Sequence, residues 1–448
     1  MPFSVQSEGI GGRQTAKHEL MMENGLNIFD PVHVEGGILS GQEVEFAPIA
    51  PVFEDNPIEF VVPGEALDRY IIPNSLRLRG YYQIVKKNGG LLEEDDDVAA
   101  VNNCPHSFFK AVNYSINGTQ LNDQSSSTYA YRAYLEHLLS FSRGGKKSHL
   151  ITSGWMEDTL NRYNTTNHSN EGYEKRKNLA KLSMKVYFET SLIIDFCQTE
   201  KMFLGGQEIR LELVRSSNEF ALMGPLAAAH KYKVLLGDVK LSLRRVTVSQ
   251  QVTRRNQALL LKEPAVYPTT SVRIKTFNVP AGLNSTFIPN IARGTLPSSL
   301  FIFLLKGIAF SGSIAENPFN IEPHSLSQIH LVVNGDRVPA SSSYTPDFES
   351  RRCMREYSAL LGACGITEEA SDNGVSLDLF RTNATIYGFD LTPDQCHGFH
   401  THKGLQGNID LDISFSTSPA FPLQVLVYAT FPAVFQVGRN NKTTLVEL

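Results

Sequence analysis

The chain has 448 residues, with 41 basic and 46 acidic side chains and a formal net charge of −5. This balance of charges argues against a protein that binds nucleic acid along its length, because neutralising the phosphates needs a continuous basic surface. The Gly and Pro contents are those of an average globular protein, which excludes a collagenous or broadly disordered chain. Charged residues make up only 19%, and together with 26 Phe and 16 Tyr this indicates large surfaces buried against something, such as other copies of the chain.

The sequence carries no signal for secretion, disulfide bonding or membrane insertion. Its five cysteines are scattered without a CxxC pair, so we expect reduced thiols rather than a disulfide framework or a structural zinc site. Residues 1–4 open a polar stretch without an apolar core, so no secretory signal is predicted. The longest apolar stretch, 421–437, contains Pro422, Gln424 and Pro432 and predicts two adjoining buried strands rather than a membrane span.

Along the chain, a polar beginning gives way to a strand-rich remainder. Residues 1–45 are polar and dotted with Gly, which predicts an arm with little core of its own. From residue 46 onward, short apolar or alternating runs are broken by Pro, Gly, Asn and Ser, as is typical of strands. The predicted strands are 58–63, 76–85, 108–116, 182–188, 209–214, 234–248, 272–279, 300–310, 329–333, 409–415 and 423–430. Helical spacing is scarce and is clearest at 126–141 and 350–361.

A repeat with a period of just over 200 residues runs through this strand-rich part. The landmarks that recur in the same order are 60–64 and 277–282, 73–76 and 297–300, 115–118 and 332–335, 126–141 and 350–361, and 207–214 and 408–415. In the third pair, Asn117-Gly118 returns as Asn334-Gly335, and Asn-Gly favours a type I′ hairpin turn. The order predicts a tandem duplication of one β-rich domain; the alternative is two unrelated β domains with ordinary turn chemistry.

Each repeat has about 200 residues, roughly eight short strands and one helical insertion. A jelly roll tolerates long insertions between its eight strands, whereas an up-and-down barrel would show more even spacing and less helix. The sequence therefore predicts an all-β fold: a tandem double jelly roll, two eight-stranded β-sandwiches with short helical insertions. The predicted domains are an N-terminal arm at 1–45, jelly rolls at 46–255 and 256–436, and a C-terminal tail at 437–448. The joint is expected near 250–265.

Motifs for catalysis or phosphate binding are missing or incomplete. The segment Gly144-Gly145-Lys146-Lys147-Ser148 has the composition of a phosphate loop but fails the GxxxxGK[ST] spacing. There is no GxSxG elbow and no HExxH helix. The acidic run 93–97 has oxygen ligands for Ca²⁺ but lacks the Gly and the final Glu of an EF-hand loop, which favours a solvated loop.

Two further features are candidate sites. His397, His400 and His402 lie within six residues and offer imidazoles to a metal, but no carboxylate or Cys pattern completes a known site, which favours an exposed or interface loop. Trp155, the single tryptophan, fits a subunit contact and core packing equally well. We therefore predict no catalytic, cofactor-binding or metal residue, and the scaffold points to a structural or binding role rather than an enzyme.

Several segments resemble the major capsid protein, or hexon, of Polinton (Maverick) elements and adintoviruses, which belong to the double jelly-roll lineage. They are Phe108-Phe-Lys-Ala-Val-Asn-Tyr-Ser-Ile-Asn-Gly118, Tyr129-Ala-Tyr-Arg-Ala-Tyr-Leu-Glu-His-Leu-Leu139 and Gly144-Gly145-Lys146. The runs 182–188 and 205–214 are similar to the closing half of that family's first domain, and 333–338 and 351–361 to its second. The resemblance covers about 45–435, and the family has relatives integrated in invertebrate genomes.

This resemblance implies a homotrimer whose six similar lobes form a pseudo-hexagonal capsomer. Such capsomers tile the faces of an icosahedral virion that encloses double-stranded DNA and is made in the host cell. Neighbouring capsomers and a separate single jelly-roll penton protein at the fivefold vertices are the implied partners. We expect the arm and the tail to tie neighbouring trimers or minor capsid proteins, and loops such as 86–105, 140–180, 311–325 and 362–376 to form towers and trimer contacts. No sequence-specific nucleic-acid binding and no cofactor are expected.

Two alternatives stay open from the sequence. A tandem β-sandwich that binds carbohydrate or protein would show a stripe of exposed aromatics or a metal in one groove, and the single Trp counts against it. An enzyme on two jelly rolls, such as an amidase or a cupin-like oxygenase, would need two His and a carboxylate on one sandwich. The cluster at 397–402 is the place where such a set would lie.

Overall fold

A computed structural model describes residues 36–54, 56–122, 127–366, 372–395 and 402–448. The strands in this part of the chain are β1 (Ile38–Phe46), β2 (Ile58–Val62), β3 (Arg69–Lys86), β4 (Ala99–Ala100), β5 (Phe109–Ile116), β6 (Thr119–Gln120), β7 (Val186–Ser191), β8 (Ile209–Arg215), β9 (Leu222–Met223), β10 (Tyr232–Val248), β11 (Ala265–Val279), β12 (Ser285–Thr295), β13 (Ser299–Lys306), β14 (Leu326–Val333), β15 (Asp336–Val338), β16 (Tyr387–Asp390), β17 (Gln406–Phe415), β18 (Leu423–Val437) and β19 (Thr443–Glu447).

Helices are short and lie mostly in the connections between strands. The α-helices are Cys104–Ser107, Tyr129–Ser140, Arg143–Lys147, Glu171–Ala180, Asn218–Ala221, Gln250–Leu260, Gly307–Ser311, Met354–Ala363 and Leu377–Phe380. Single 3-10 turns occupy His149–Ser153, Lys181–Ser183, Asp195–Gln198 and Leu226–Ala228. The helix Gln250–Leu260 lies between β10 and β11, where the joint between the two repeats was expected.

The first half of the chain forms two four-stranded antiparallel sheets. One has the order β1-β10-β3-β7 and the other β2-β8-β5-β6, while β4 and β9 pair separately. If these eight sheet strands are numbered along the chain, the two orders are 1-8-3-6 and 2-7-4-5. This is the arrangement of a jelly roll, in which the first and last strands are neighbours in one sheet.

The second half repeats the same topology. Its sheets have the orders β11-β18-β13-β16 and β12-β17-β14-β15, with β19 added beside β18. Numbered from β11, the orders are again 1-8-3-6 and 2-7-4-5. The predicted fold class, a tandem double jelly roll with short helical insertions, is therefore confirmed.

The two Asn-Gly landmarks form equivalent hairpin turns. Asn117 and Gly118 have φ of 50° and 74°, and Asn334 and Gly335 have 52° and 95°, so both central residues are left-handed, as a type I′ turn requires. The side-chain oxygen of Asn117 accepts a hydrogen bond from the backbone N–H of Glu208 at 2.9 Å. Asn334 accepts one in the same way, also at 2.9 Å, at the equivalent strand of the second half. The duplication thus extends to the details of turn chemistry.

One predicted landmark is wrong. The segment 60–64 lies at the end of β2, the second strand of its jelly roll, whereas 277–282 follows from β11, the first strand of the other. The two segments are alike because an apolar strand followed by Pro and Gly is ordinary chemistry for leaving a sheet. The other four landmarks fall on equivalent elements in the two halves.

Three boundaries differ from the sequence prediction. The strand β1 lies almost wholly inside the predicted arm, and its mostly exposed residues give no alternating pattern that would mark a strand. The strand β19 lies inside the predicted tail and pairs with β18. The stretch 421–437 forms one strand rather than two, because Pro432 sits where the neighbour of β18 changes from β13 to β19 and needs no amide donor there.

Each jelly roll has its own core, and a third apolar cluster joins them. Phe60, Leu78 and Leu213 are buried in the first sandwich, and Leu300 and Ile413 in the second. The third cluster brings together residues of the helix Tyr129–Ser140 with β13 and β18 of the second sandwich. Each fully buried large apolar side chain contributes about 1.5–3 kcal/mol. The two halves are therefore held together as one packed body.

Candidate assembly surfaces

The helix Tyr129–Ser140, which follows β6, is the main connector between the jelly rolls. Its apolar residues recur at helical spacing, so that one face is directed at the second sandwich. The Tyr134 ring stacks on Phe319 with centroids 4.3 Å apart and on Trp155 at 5.3 Å. Tyr131 stacks on Phe310 at 5.6 Å. Trp155 is 3% exposed, so of its two predicted roles the structure supports core packing.

The glycine–lysine segment that resembled a phosphate loop forms the short helix Arg143–Lys147. The ammonium group of Lys146 is buried and donates hydrogen bonds to the carbonyl oxygens of Leu138 at 2.7 Å and Asn373 at 2.6 Å. It also lies 5.6 Å from the centre of the Trp155 ring. Burial lowers the pKa of Lys146 to about 8. The lysine ties a loop of the first jelly roll to one of the second rather than facing a phosphate.

A buried ionic network reinforces the same junction, and sequence reasoning missed it. The guanidinium of Arg132 lies 2.7 Å from Asp195 and 2.9 Å from Glu136. The hydroxyl of Tyr428, on β18 of the second sandwich, donates to Glu136 at 3.3 Å. Burial alone would lower the pKa of Arg132, but Asp195 and Glu136 raise it well above its usual value. Only the pair Arg132 and Glu136 carries a sequence signal, the i,i+4 spacing of a helical ion pair.

Lysines pair with carboxylates of the acidic run 93–97. Glu94 pairs with Lys181 at 3.0 Å, and Asp97 pairs with Lys177 at 2.8 Å. The hydroxyl of Tyr173 also donates to Asp97 at 2.7 Å. These two carboxylates therefore have partners within the protein. Within the ranges that the structure describes, no group of three or more His, Cys, Asp or Glu side chains is placed to hold a metal.

The histidine cluster falls mostly outside the described residues. His397 and His400 lie there. His402 is described, and its Nε2 lies 2.8 Å from the Asp394 carboxylate.

A polar cleft of about 460 Å³ lies where the insertions of the two jelly rolls meet. Its wall includes Asn161, Asn320 and Asn383. The Asn383 side chain accepts from the backbone of Asn161 at 2.8 Å and donates to Asn320 at 2.8 Å. These amides bind each other and link the two halves, and the cleft wall carries no nucleophile paired with a base among the residues described.

No helix in the described part of the chain is long and apolar enough to cross a membrane.

Comparison of sequences yields one informative relative. No protein-family model matches the chain. The uncharacterized protein F54H12.2 of Caenorhabditis elegans is 24% identical over 395 residues, which cover 86% of this chain and 91% of that protein.

Comparison of structures defines the class of fold. A chain of the Sputnik virophage matches with a TM-score of 0.63 at 11% identity, covering 94% of this chain and 91% of its own length. A chain of the PBCV-1 virus capsid matches with a TM-score of 0.58 at 11% identity, covering 94% of this chain and 99% of its own length. The mavirus major capsid protein matches with a TM-score of 0.56 at 11% identity, covering 94% of this chain and 92% of its own length. The fold of this chain is thus the double jelly roll that virus capsid proteins have.

Proposed function

We propose that the chain is a structural major capsid protein that forms pseudo-hexagonal homotrimers in the shell of an icosahedral double-stranded DNA virus or virus-like transposon. The observation that carries the proposal is the identical strand order of the two jelly rolls, joined by one shared core. Three copies of such a chain present six similar lobes, and a ring of six lobes tiles a flat face. The full-length likeness to capsid chains supports the same conclusion.

We further propose that the source is a Polinton (Maverick) element or an adintovirus. The segments that resemble this family include β5, its hairpin turn and the helix Tyr129–Ser140, and this helix packs on the second jelly roll. The relative in a nematode agrees with a gene carried in an animal genome. The protein would then reside in the virion after synthesis in the host cell.

The implied partners follow from the geometry of such a shell. Neighbouring capsomers would contact each trimer at its rim, and a single jelly-roll penton protein would fill the fivefold vertices. The polar segment before β1 and the end of the chain around β19 are our candidates for arms that contact neighbours or minor capsid proteins. The four-part division into arm, first jelly roll, second jelly roll and tail remains part of this proposal.

The proposal assigns no catalytic residue, cofactor or metal to the chain. The single tryptophan, Trp155, is buried between the two halves and is therefore not available to bind a carbohydrate. The polar cleft between the insertions has its amides bonded to one another. A shell protein needs neither an exposed tryptophan nor a reactive cleft.

Negative-stain microscopy and sedimentation of purified protein test the proposal. We expect three-lobed particles with three times the 49.7 kDa chain mass, and closed shells at higher concentration. A protein that stays a monomer at all concentrations, or that forms an assembly without threefold symmetry, would contradict the proposal.

A further inference from the structure

The outer face of one sheet is used very differently in the two jelly rolls. In the second jelly roll, the outward residues of β13 and β18 are buried against the helix Tyr129–Ser140 of the first. Phe303, for example, is fully buried and lies 6.5 Å from Tyr131, measured between ring centroids. This contact is the apolar junction inside the chain.

The strand β3 is the counterpart of β13 in the first jelly roll. Both strands contain the end of the same landmark, 73–76 and 297–300, and Leu76 and Leu300 both face their own sandwich cores. The outward residues of β3 and their counterparts on β13 are, in order, Arg77 and Phe301, Arg79 and Phe303, and Tyr81 and Leu305. The residues on β3 are partly exposed, whereas those on β13 are buried.

The outer face of β3, β7 and β10 combines charge with aromatic surface. Arg79 forms an ion pair with Glu45 on β1. The Tyr81 ring lies edge-on to Tyr187 of β7, with centroids 5.6 Å apart, and the ammonium of Lys185 lies 4.4 Å from the Tyr81 centroid. Tyr187 is 72% exposed. We call this surface the tyrosine–arginine face and define it by Arg77, Arg79, Tyr81, Tyr187 and Leu235.

In a ring of six similar lobes, each lobe presents the same face to its neighbour. The contact between the two jelly rolls inside one chain must then recur between chains, with the roles of the domains exchanged. We infer that the tyrosine–arginine face binds the second jelly roll of a second copy of the chain. This inference rests on the proposed trimer and names the surface that closes it.

The opposite side of the same contact can be identified by the same equivalence. The helix Met354–Ala363 follows β15 as Tyr129–Ser140 follows β6. The helix Tyr129–Ser140 is buried against the second jelly roll of its own chain, whereas Met354 is 62% exposed. Met354 and the exposed side of its helix are therefore the surface that meets the tyrosine–arginine face of the next copy.

The chemistry of the two contacts differs in a way that matters for assembly. The contact inside the chain has a largely apolar centre, whereas the contact between chains places arginines where the internal contact has phenylalanines. Arg79 is already paired with Glu45, and the exposed residue after Met354 is Arg355. The contact between chains therefore depends on exposed apolar surface such as Tyr187 and Met354 rather than on ion pairs.

Sedimentation velocity of the full chain tests the inference with two variants and a matched control. Tyr187→Glu and Met354→Glu, on opposite sides of the contact, are expected to lower the trimer fraction at least tenfold at about 0.1 M salt. The control is Phe287→Glu, which changes a 55% exposed aromatic on β12, in the sheet that neither jelly roll buries against the other. It should leave the trimer intact, and circular dichroism should show all three variants folded.

The outcomes separate this inference from the proposed function. If the unaltered protein forms trimers and both variants do so equally well, the tyrosine–arginine face is not the contact, and the proposed function stands. If the unaltered protein never forms trimers, the proposed function fails first and this inference fails with it.

Discussion

Two histidines are buried side by side near the base of the connecting helix. The rings of His106 and His137 lie 5.0 Å apart. His106 contacts the hydroxyls of Tyr129 at 3.0 Å and Thr190 at 2.7 Å, and His137 contacts the Asn103 side chain at 3.0 Å. Burial lowers the pKa of His106 well below its usual value, with a further contribution from His137. Burial and the charge of a nearby lysine lower the pKa of His137 to about 3.

These histidines predict that the protein loses stability in mild acid. In the unfolded chain a histidine has a pKa of about 6.5, so below that pH the unfolded state binds more protons than the native state. The free energy of unfolding is therefore largest above pH 6.5 and falls as the pH drops, by up to about 1.4 kcal/mol per pH unit for each histidine. The measurement is urea unfolding at pH 7.5 and 5.0. His137→Gln should reduce the fall, and the exposed control His168→Gln should not; equal falls in all three proteins would refute the assignment.

The buried Lys146 predicts a loss of stability that its neighbour does not share. Lys146→Ala leaves the carbonyl oxygens of Leu138 and Asn373 without their donor, which should lower the free energy of unfolding by about 2–3 kcal/mol. Lys147→Ala, at an exposed position of the same short helix, should change it by less than about 0.5 kcal/mol. Chemical unfolding of both variants gives the comparison. Equal effects would mean that the buried ammonium contributes nothing to the junction.

At the scale of elements, the helix Tyr129–Ser140 has two tasks. Its apolar face packs on the second sandwich, and its Arg132 and Glu136 form the ionic network with Asp195 and Tyr428. A helix of 12 residues is marginal alone in water, so its stability comes from this packing. The insertion after β6 therefore connects the two jelly rolls through a shared buried cluster.

Removing one ring from this helix should destabilise the junction. Tyr134→Ala leaves a cavity between Phe319 and Trp155 and should lower the free energy of unfolding by about 3–5 kcal/mol. The fluorescence of Trp155, the single tryptophan, reports directly on this cluster. The control Leu226→Ala, at a side chain that is 72% exposed, should stay within about 0.5 kcal/mol. A small effect at Tyr134 would show that the cluster is loosely packed.

At the scale of the whole molecule, the shared cluster predicts that the two jelly rolls unfold together. Fluorescence of Trp155 follows the junction, and far-ultraviolet circular dichroism follows the sheets of both halves. Because the junction is buried and apolar, the two signals should change at the same denaturant concentration. Two separated transitions would mean that the sandwiches are independent and that the junction adds little. Measurement at a protein concentration where the chain is monomeric removes the contribution of assembly.

The sequence by itself determined the duplicated all-β architecture, the two Asn-Gly hairpins and alternating strands such as β17. These features depend on local alternation and turn chemistry, which can be recognised within a few residues. The edge strand β1 escaped recognition, because a strand exposed on both faces carries no apolar alternation.

Only the tertiary structure decided which distant groups meet. Lys146 reaches a carbonyl 227 residues further along the chain, and Asp195 meets Arg132 across an insertion. Spacing along a sequence carries no information about which loops of two sandwiches come into contact. The face of β13 carries Phe301 and Phe303 where that of β3 carries arginines, but only the structure showed that the helix Tyr129–Ser140 covers it. Which element covers a strand face depends on how one domain packs on the other.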